Sequence, residues 1–156
     1  MNDRIYYIQR FPTKDDLTPD TIDIEATFDG LYINDIDGML DKGEVKNRYV
    51  EEFADIEGAK VYEPEKPLYK ETKVVVKLTT IDKGEKAYSK FIKAYVDFVD
   101  YITARPFILW DEMRKRKVEL LLTEAIKPND ILISGQERIQ VDISFRNLKG
   151  TFEKIE

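Results

Sequence analysis

Residues 83–103 of this chain read KGEKAYSKFIKAYVDFVDYIT, and this stretch decides the fold. Its apolar side chains recur every three or four residues, which predicts one amphipathic α-helix with a broad apolar stripe. The helix is expected to end near Thr103, because Pro106 follows closely and proline disfavours helical backbone in the residue before it. The predicted stripe consists of Ala87, Tyr88, Phe91, Ala94, Tyr95, Phe98, Val99 and Ile102.

On both sides of this helix, apolar residues alternate with polar ones, as in half-buried β-strands. The two clearest strands are residues 73–80 and residues 139–145. Further strands are predicted at residues 4–10, 31–36, 44–53, 107–110, 118–123 and 151–155. Residues 11–30 carry turn and loop signals, and within them residues 22–24 and 26–28 are candidates for a short strand. Strands, one helix and then strands with tight turns favour an α+β fold. We expect a mostly antiparallel β-sandwich or small barrel with one amphipathic helix packed on it.

Composition narrows the classes of function. The 156 residues are 42% hydrophobic and 36% charged, which suits a single domain spanning residues 1–156. The chain has no His and no Cys, so thiol chemistry is excluded and the commonest general base and metal ligands are missing. No apolar run is long enough to span a bilayer and no signal peptide is evident, so we expect no membrane partner. No cofactor is expected either.

Charge is distributed unevenly along the chain. Residues 1–66 hold 17 acidic and 8 basic residues, a net of −9, whereas residues 67–156 have a net of +3. Solvated surface accounts for most such asymmetry, and the alternative is a molecule with an acidic and a basic side that stacks on copies of itself. The basic run at residues 114–117 is interpreted as a solvated hairpin tip. Sequence-specific nucleic-acid binding is not expected, because no face-wide basic patch is evident.

Partial motifs give no support for a metal or a catalytic centre. Asn34-Asp35-Ile36-Asp37-Gly38 resembles the start of a calcium loop, but Met39 occupies the position of the third ligand. Adjacent carboxylates occur at residues 15–16, 51–52 and 111–112. Neighbouring side chains in a strand point to opposite faces, so adjacency does not indicate a catalytic pair. An enzyme is therefore not expected.

The order of elements resembles the tail-tube fold of proteins from long-tailed bacteriophages, a group that includes tail-tube subunits and distal tail proteins. The matching parts are an extended arm, a long strand, the helix and the later strands, at residues 41–67, 69–82, 84–102, 107–110, 118–123 and 139–145. The stretch Ala54-Asp55-Ile56-Glu57-Gly58-Ala59 is similar to the acidic turn in the arm of distal tail proteins. We call residues 41–67 the arm.

This resemblance implies a structural protein of a phage or prophage tail, in the virion tail or the host bacterial cytoplasm. It implies a homo-oligomeric, hexameric ring in which strands pair across subunits, with other tail proteins as partners. The arm would contact the neighbouring ring. Acidic and aromatic residues in and beside the arm are the predicted interface residues: Glu44, Tyr49, Glu51, Glu52, Phe53, Asp55, Glu57, Tyr62 and Tyr69.

Two other classes of function stay open at the level of sequence. The first is a non-catalytic module that binds a small ligand or peptide, with an apolar pocket beneath Phe91, Tyr95 and Phe98. The second is an enzyme that uses convergent carboxylates with raised pKa values in a cleft. An oligomer with buried strand edges would favour the tail protein over both.

Overall fold

A computed structural model describes residues 6–10, 21–46, 49–52, 59–62, 68–103 and 105–155. The elements in chain order are β1 Tyr6–Arg10, β2 Thr21–Asp23, α1 Ile24–Thr27, β3 Tyr32–Asp37, β4 Val45–Lys46, β5 Tyr49–Glu52, β6 Ala59–Tyr62, β7 Leu68–Tyr69, β8 Thr72–Thr79, α2 Glu85–Thr103, β9 Phe107–Asp111, β10 Arg116–Leu120, β11 Asn129–Ile131, β12 Arg138–Asn147 and β13 Glu153–Lys154.

Two antiparallel sheets form the body. Sheet A has the strand order β13-β10-β9-β1-β2, and sheet B has the order β11-β12-β8-β3. The sheets are joined at one corner, where the backbones of Leu121 and Arg146 exchange hydrogen bonds of 3.0 and 2.9 Å. The strands of the described residues do not close into a barrel. The predicted α+β sandwich is therefore confirmed, and the barrel alternative is not.

The core lies between the inner faces of the two sheets. In β12 every second side chain is buried, with Ile143 fully inaccessible to solvent, as its sequence alternation predicts. In sheet A, Phe107 and Leu109 of β9 are buried in the same way. The rings of Phe107 and Phe145 meet edge to face at 5.2 Å between centroids, which fastens one sheet to the other.

The predicted helix is confirmed as α2, and it ends at Thr103. Within its apolar stripe Phe91, Ala94, Phe98 and Ile102 are buried, whereas the other four stripe residues, Ala87, Tyr88, Tyr95 and Val99, are half-buried. Two tyrosine side chains of the helix contact charged side chains, one on each sheet. The Tyr88 hydroxyl lies 3.4 Å from a carboxylate oxygen of Asp130 in β11, and the Arg10 guanidinium of β1 lies 4.2 Å from the centre of the Tyr101 ring.

The candidate short strand at residues 22–24 and 26–28 is wrong in its second part. Strand β2 ends at Asp23, and the short helix α1 follows. Asp23 is the N-cap of α1, because its side chain accepts a hydrogen bond of 3.4 Å from the backbone N–H of Ala26. This turn brings Phe28 against Phe98, with 5.3 Å between ring centres. The cap at Asp23 therefore favours a short helix over the strand that the apolar alternation suggested.

Two further strands differ from the prediction in detail. In β3 the pairing register shifts between Ile33 and Asp35, and this bulge lets Ile33 and Ile36 both point into the core despite their odd spacing. The strand predicted over residues 118–123 begins two residues earlier, at Arg116, and ends at Leu120.

We predict that Phe91→Ala lowers the free energy of unfolding by about 3–5 kcal/mol, because it empties a site that is 0% exposed. Val96→Ala on the same helix is the control. Its side chain is 50% exposed, so the loss should stay within about 0.5 kcal/mol. Denaturant unfolding of both variants measures the difference, and equal losses would mean that the stripe does not face the core.

Candidate interaction surface

The arm is built as an antiparallel β-hairpin. Its strands β4 and β7 pair Val45 with Tyr69, and β5 and β6 pair Tyr49 with Tyr62. Because the outgoing strands pair with the returning ones, the hairpin leaves the body after Gly43 and rejoins it next to Tyr69. The pairing of β5 with β6 favours a hairpin over a loop for this part of the arm.

Backbone contacts hold the base of the arm against the turn after β12. The N–H of Gly43 donates to the carbonyl of Gly150 at 2.8 Å, and the N–H of Lys70 donates to the carbonyl of Glu44 at 2.7 Å. A Cβ atom added at Gly43 or at Gly150 would overlap the carbonyl oxygen of Lys70. Both positions therefore require glycine, because three backbone segments meet with no room for a side chain.

Asn147 fixes the turn that carries Gly150. Its side chain is completely buried, where Oδ1 accepts from the N–H of Gly150 at 3.1 Å and Nδ2 donates to the carbonyl of Thr151 at 3.0 Å. Both hydrogen-bonding ends of the amide are thus satisfied, as burial demands. The contact of this turn with the arm has no sequence signal.

Two predicted interface residues meet at the base of the arm. Glu44 is exposed and its carboxylate lies 2.7 Å from Lys70 Nζ, a hydrogen bond that lowers the pKa of Glu44. Tyr69 is half-buried, and Lys42 Nζ lies 5.6 Å from the centre of its ring and 5.4 Å from that of Phe152. Charged and aromatic groups therefore cover the point at which the arm leaves the body.

The other predicted interface residues lie farther along the arm. Tyr49, Glu51, Glu52 and Tyr62 belong to β5 and β6, where Glu51 pairs with Lys60 and Glu52 with Ala59 through the backbone. Their side chains lie outside the description. Phe53, Asp55 and Glu57 lie outside the described residues altogether. The interface role of all nine predicted residues, Glu44 and Tyr69 included, stays a prediction.

The basic run has a structural partner that the sequence did not reveal. Asp111 is completely buried and receives Arg114 Nη1 at 2.7 Å and the Arg114 backbone N–H at 3.1 Å. The other guanidinium nitrogen, Nη2, lies 3.3 Å from the Asp35 carboxylate of β3. These hydrogen bonds raise the pKa of Arg114, with Asp111 the principal cause. Arg114 thus ties sheet A to sheet B.

The rest of the basic run is only partly a hairpin tip. Lys115 lies in the turn and pairs with Glu112 at 3.1 Å, whereas Arg116 and Lys117 already belong to β10. The adjacent carboxylates Asp111 and Glu112 therefore have separate cationic partners and do not face a common cleft.

The calcium-like segment is engaged in ion pairs. Asp35 contacts Arg114, and Asp37 lies 3.1 Å from Lys77 Nζ in the neighbouring strand. Across the described part of the chain, no three acidic side chains converge in a way that could hold a metal ion. Among the described helices, none has the length and apolar character to cross a membrane.

Comparison with known proteins finds likeness in structure and not in sequence. No protein-family model matches the chain, and no curated protein does. The crystal structure of the SPP1 Dit protein, described as a paradigm of the hub adsorption apparatus in phages that infect Gram-positive bacteria, matches over 98% of this chain with a TM-score of 0.50 and 10% identity. This chain covers 53% of that protein, about half its length.

Two structures of the phage p2 baseplate in its activated conformation, one with Sr and one with Ca, also match. Each has a TM-score of 0.46, with 17% and 16% identity, and covers 91% of this chain and 44% of the matched chain. The predicted resemblance to the fold of phage tail proteins is confirmed by the SPP1 Dit match. At this identity the likeness concerns the fold.

We predict that Gly43→Ala lowers the free energy of unfolding by about 2–3 kcal/mol, because the new methyl group overlaps a rigid carbonyl oxygen. Gly135→Ala is the control. Its Cβ meets nothing within 4 Å, so only its backbone φ of +81° opposes the change, at about 1 kcal/mol. Urea unfolding compares the two. A smaller loss at Gly43 than at Gly135 would contradict the close approach.

We predict that Arg114→Ala costs about 3 kcal/mol, because it leaves the buried carboxylate of Asp111 without its cation. Lys73→Ala is the matched control, since its partner Glu124 at 3.0 Å is 49% exposed and such surface pairs contribute about 0–1 kcal/mol. Thermal and urea unfolding report both values. Equal losses would show that Arg114 does not join the sheets.

Proposed function

We propose that this chain is a structural assembly protein of a phage or prophage tail. In this proposal residues 1–156 act as one domain, a tail-tube-like subunit or tail adaptor, that forms a homo-oligomeric ring and performs no catalysis. The observation that carries the proposal is the fold, which matches a phage hub protein over 98% of this chain. Ring formation and the kind of subunit are inferences from that fold and from the surfaces described next.

Open strand edges support self-association. Among the described strands, β3 pairs on one side only, with β8, although it is six residues long. Long unpaired edges are sites at which another chain can add a strand. A head-to-tail contact repeated around a ring leaves no edge open. Pairing of β3 with a neighbouring subunit would therefore protect this edge and form the ring.

The arm supports contacts beyond one subunit. Its hairpin is anchored at the base by the Gly43–Gly150 hydrogen bond and by the packing at Lys70. Anchoring at the base reduces the order that has to be gained there on binding. We propose that the predicted interface residues of the arm bind a neighbouring ring or another tail protein.

The ligand-binding alternative has less support. A cavity of 330 Å³ borders the outer, charged face of α2, and Phe91, Tyr95 and Phe98 do not line it. Phe91 and Phe98 are instead buried in the core, at 0% and 2% exposure. The apolar pocket that this alternative placed beneath the three rings is therefore not supported.

The proposal predicts that the purified protein forms rings or short tubes. Light scattering at several concentrations should give a mass that is a multiple of 18.3 kDa, with rings visible in negative stain. The informative variant replaces residues 47–67 by Asn-Gly, because a two-residue turn of this type joins paired strands and keeps β4 opposite β7. This variant should stay folded and lose the contacts between rings.

The matched control changes the body and leaves the arm intact. Lys127→Ala alters an exposed residue outside every strand, and it should assemble as the original chain does. If the original chain stays a monomer at every concentration, also with cognate tail proteins added, the proposal fails. If the shortened variant forms stacked rings as readily as the original chain, the arm is not the contact between rings.

A further inference from the structure

The solvent-exposed face of α2 and of the turn before it carries a stripe of charged residues. Six exposed residues follow one another at spacings of three and four, which places them on one side of the helix. The first four are basic and the last two acidic: Lys83, Lys86, Lys90, Lys93, Asp97 and Asp100. The lysines therefore lie toward the N-terminal end of this face, and the aspartates lie toward its C-terminal end.

This order opposes the dipole of the helix. The N-terminal end of a helix favours acidic side chains and the C-terminal end favours basic ones. In α2 the exposed lysines lie toward the N-terminal end, and no basic residue lies in the last turn. Lysines at successive turns also repel one another. Helix stability therefore does not account for the stripe.

The lysines border two adjoining cavities. One, of 330 Å³, is lined by Lys83, Lys86 and Lys90, together with Asp82 and exposed Ile81. The other, of 250 Å³, is lined by Lys90 and Lys93, together with Asp97 and the loop at residues 27–29, which includes Asp29. Lys90 is common to both. We call this surface, defined by Lys83, Lys86, Lys90 and Lys93, the lysine groove.

The linings of the two cavities keep a small excess of positive charge, four lysines against Asp29, Asp82 and Asp97. Lys90 Nζ lies 3.0 Å from the Asp29 carboxylate, and no ion pair joins Lys83, Lys86 or Lys93 to another of the described residues. The excess lies at the first cavity, where three lysines stand against Asp82, so that part of the groove favours an acidic ligand. The chain itself contains a segment of that chemistry: residues 51–57 read EEFADIE, with four acidic residues and no basic one.

The lysine groove and the base of the arm lie at opposite ends of β12. At one end, the N–H of Gly84 donates to the carbonyl of Glu137, the residue before β12, at 3.1 Å. At the other end, the N–H of Gly43 donates to the carbonyl of Gly150. The ten residues of β12 separate these points by about 30 Å. Copies stacked head to tail would therefore bring the arm-bearing end of one against the groove-bearing end of the next.

We propose that the lysine groove binds the acidic segment 51–57 of the arm of a second copy of this chain. The contact is heterologous, because one end of each molecule binds the opposite end of its neighbour. The inference rests on the proposed function only because it requires self-association. It names the surface that the arm binds, and it does not require a closed ring. Its ion pairs are exposed, so the contact should weaken with salt.

Carbodiimide coupling tests this contact directly, since it joins a carboxylate to an amine as an amide with loss of water and leaves no spacer. The full-length chain is mixed as ¹⁴N and ¹⁵N material at 50 mM salt, coupled and digested for mass spectrometry. The expected products are mixed-isotope peptides that join residues 51–57 to Lys86 or Lys90. Their absence at every protein concentration would overturn the proposal.

Charge reversal provides a second, independent test. Lys86→Glu with Lys90→Glu should raise the concentration of half-association about tenfold or more. Glu51→Lys with Glu52→Lys should do the same, and a mixture of the two variants, or the chain that carries all four changes, should recover much of the loss. The control is Lys127→Glu with Lys154→Glu, which makes the same change in net charge at exposed sites away from the groove. An equal effect of the control would overturn the proposal.

The outcomes separate this inference from the proposed function. Rings that form without the crosslink, and that the groove variant leaves unchanged, would overturn the inference while the proposed function stands. Intermolecular crosslinks without rings would support the inference and count against the ring. If the groove variant associates normally but loses retention of a double-stranded DNA oligonucleotide, the groove binds nucleic acid and the proposal fails.

Discussion

The rest of the structure depends on the strict alternation of β12. Its inward side chains from Ile139 to Asn147 fill the core, while its backbone pairs with β8 on one side and β11 on the other. Leu121 of sheet A attaches near its end. A shift of one residue would turn five buried side chains toward solvent. This strand therefore fixes the positions of both sheets, the helix and the arm.

Periodicity made the regular elements predictable. The stripe of α2 and the alternation of β8 and β12 follow from contacts that repeat along one segment, so the sequence itself carries the pattern. The short helix α1 escaped prediction because a single cap at Asp23 overrides three apolar residues. The bulge in β3 escaped as well, because it depends on pairing with β8 and not on the local sequence.

The candidate site was predictable in outline only. Acidic and aromatic residues indicated the arm, and Glu44 and Tyr69 do lie at its base. The packing of Gly43 and Gly150 around Lys70 joins positions far apart in the chain, and glycine shows no partner in the sequence. The contact between Asp111 and Arg114 was also not predictable. Both residues lie in a run of charged residues, and nothing in that run indicates that the Asp111 carboxylate is buried. Contacts between segments that are far apart in the chain produce no repeating pattern in the sequence, so they could not be predicted from it.

The attachment of the arm has a mechanical consequence. The returning strand β7 continues within three residues into β8, which is held by eight residue pairs to β12 and five to β3. A force that pulls on the arm is therefore carried along the length of β8, in the central part of sheet B. The hydrogen bonds on both sides of that strand then share the force and must break together, whereas a peeling force would break them one by one. The hairpin is thus continuous with a strand of sheet B that is paired on both sides.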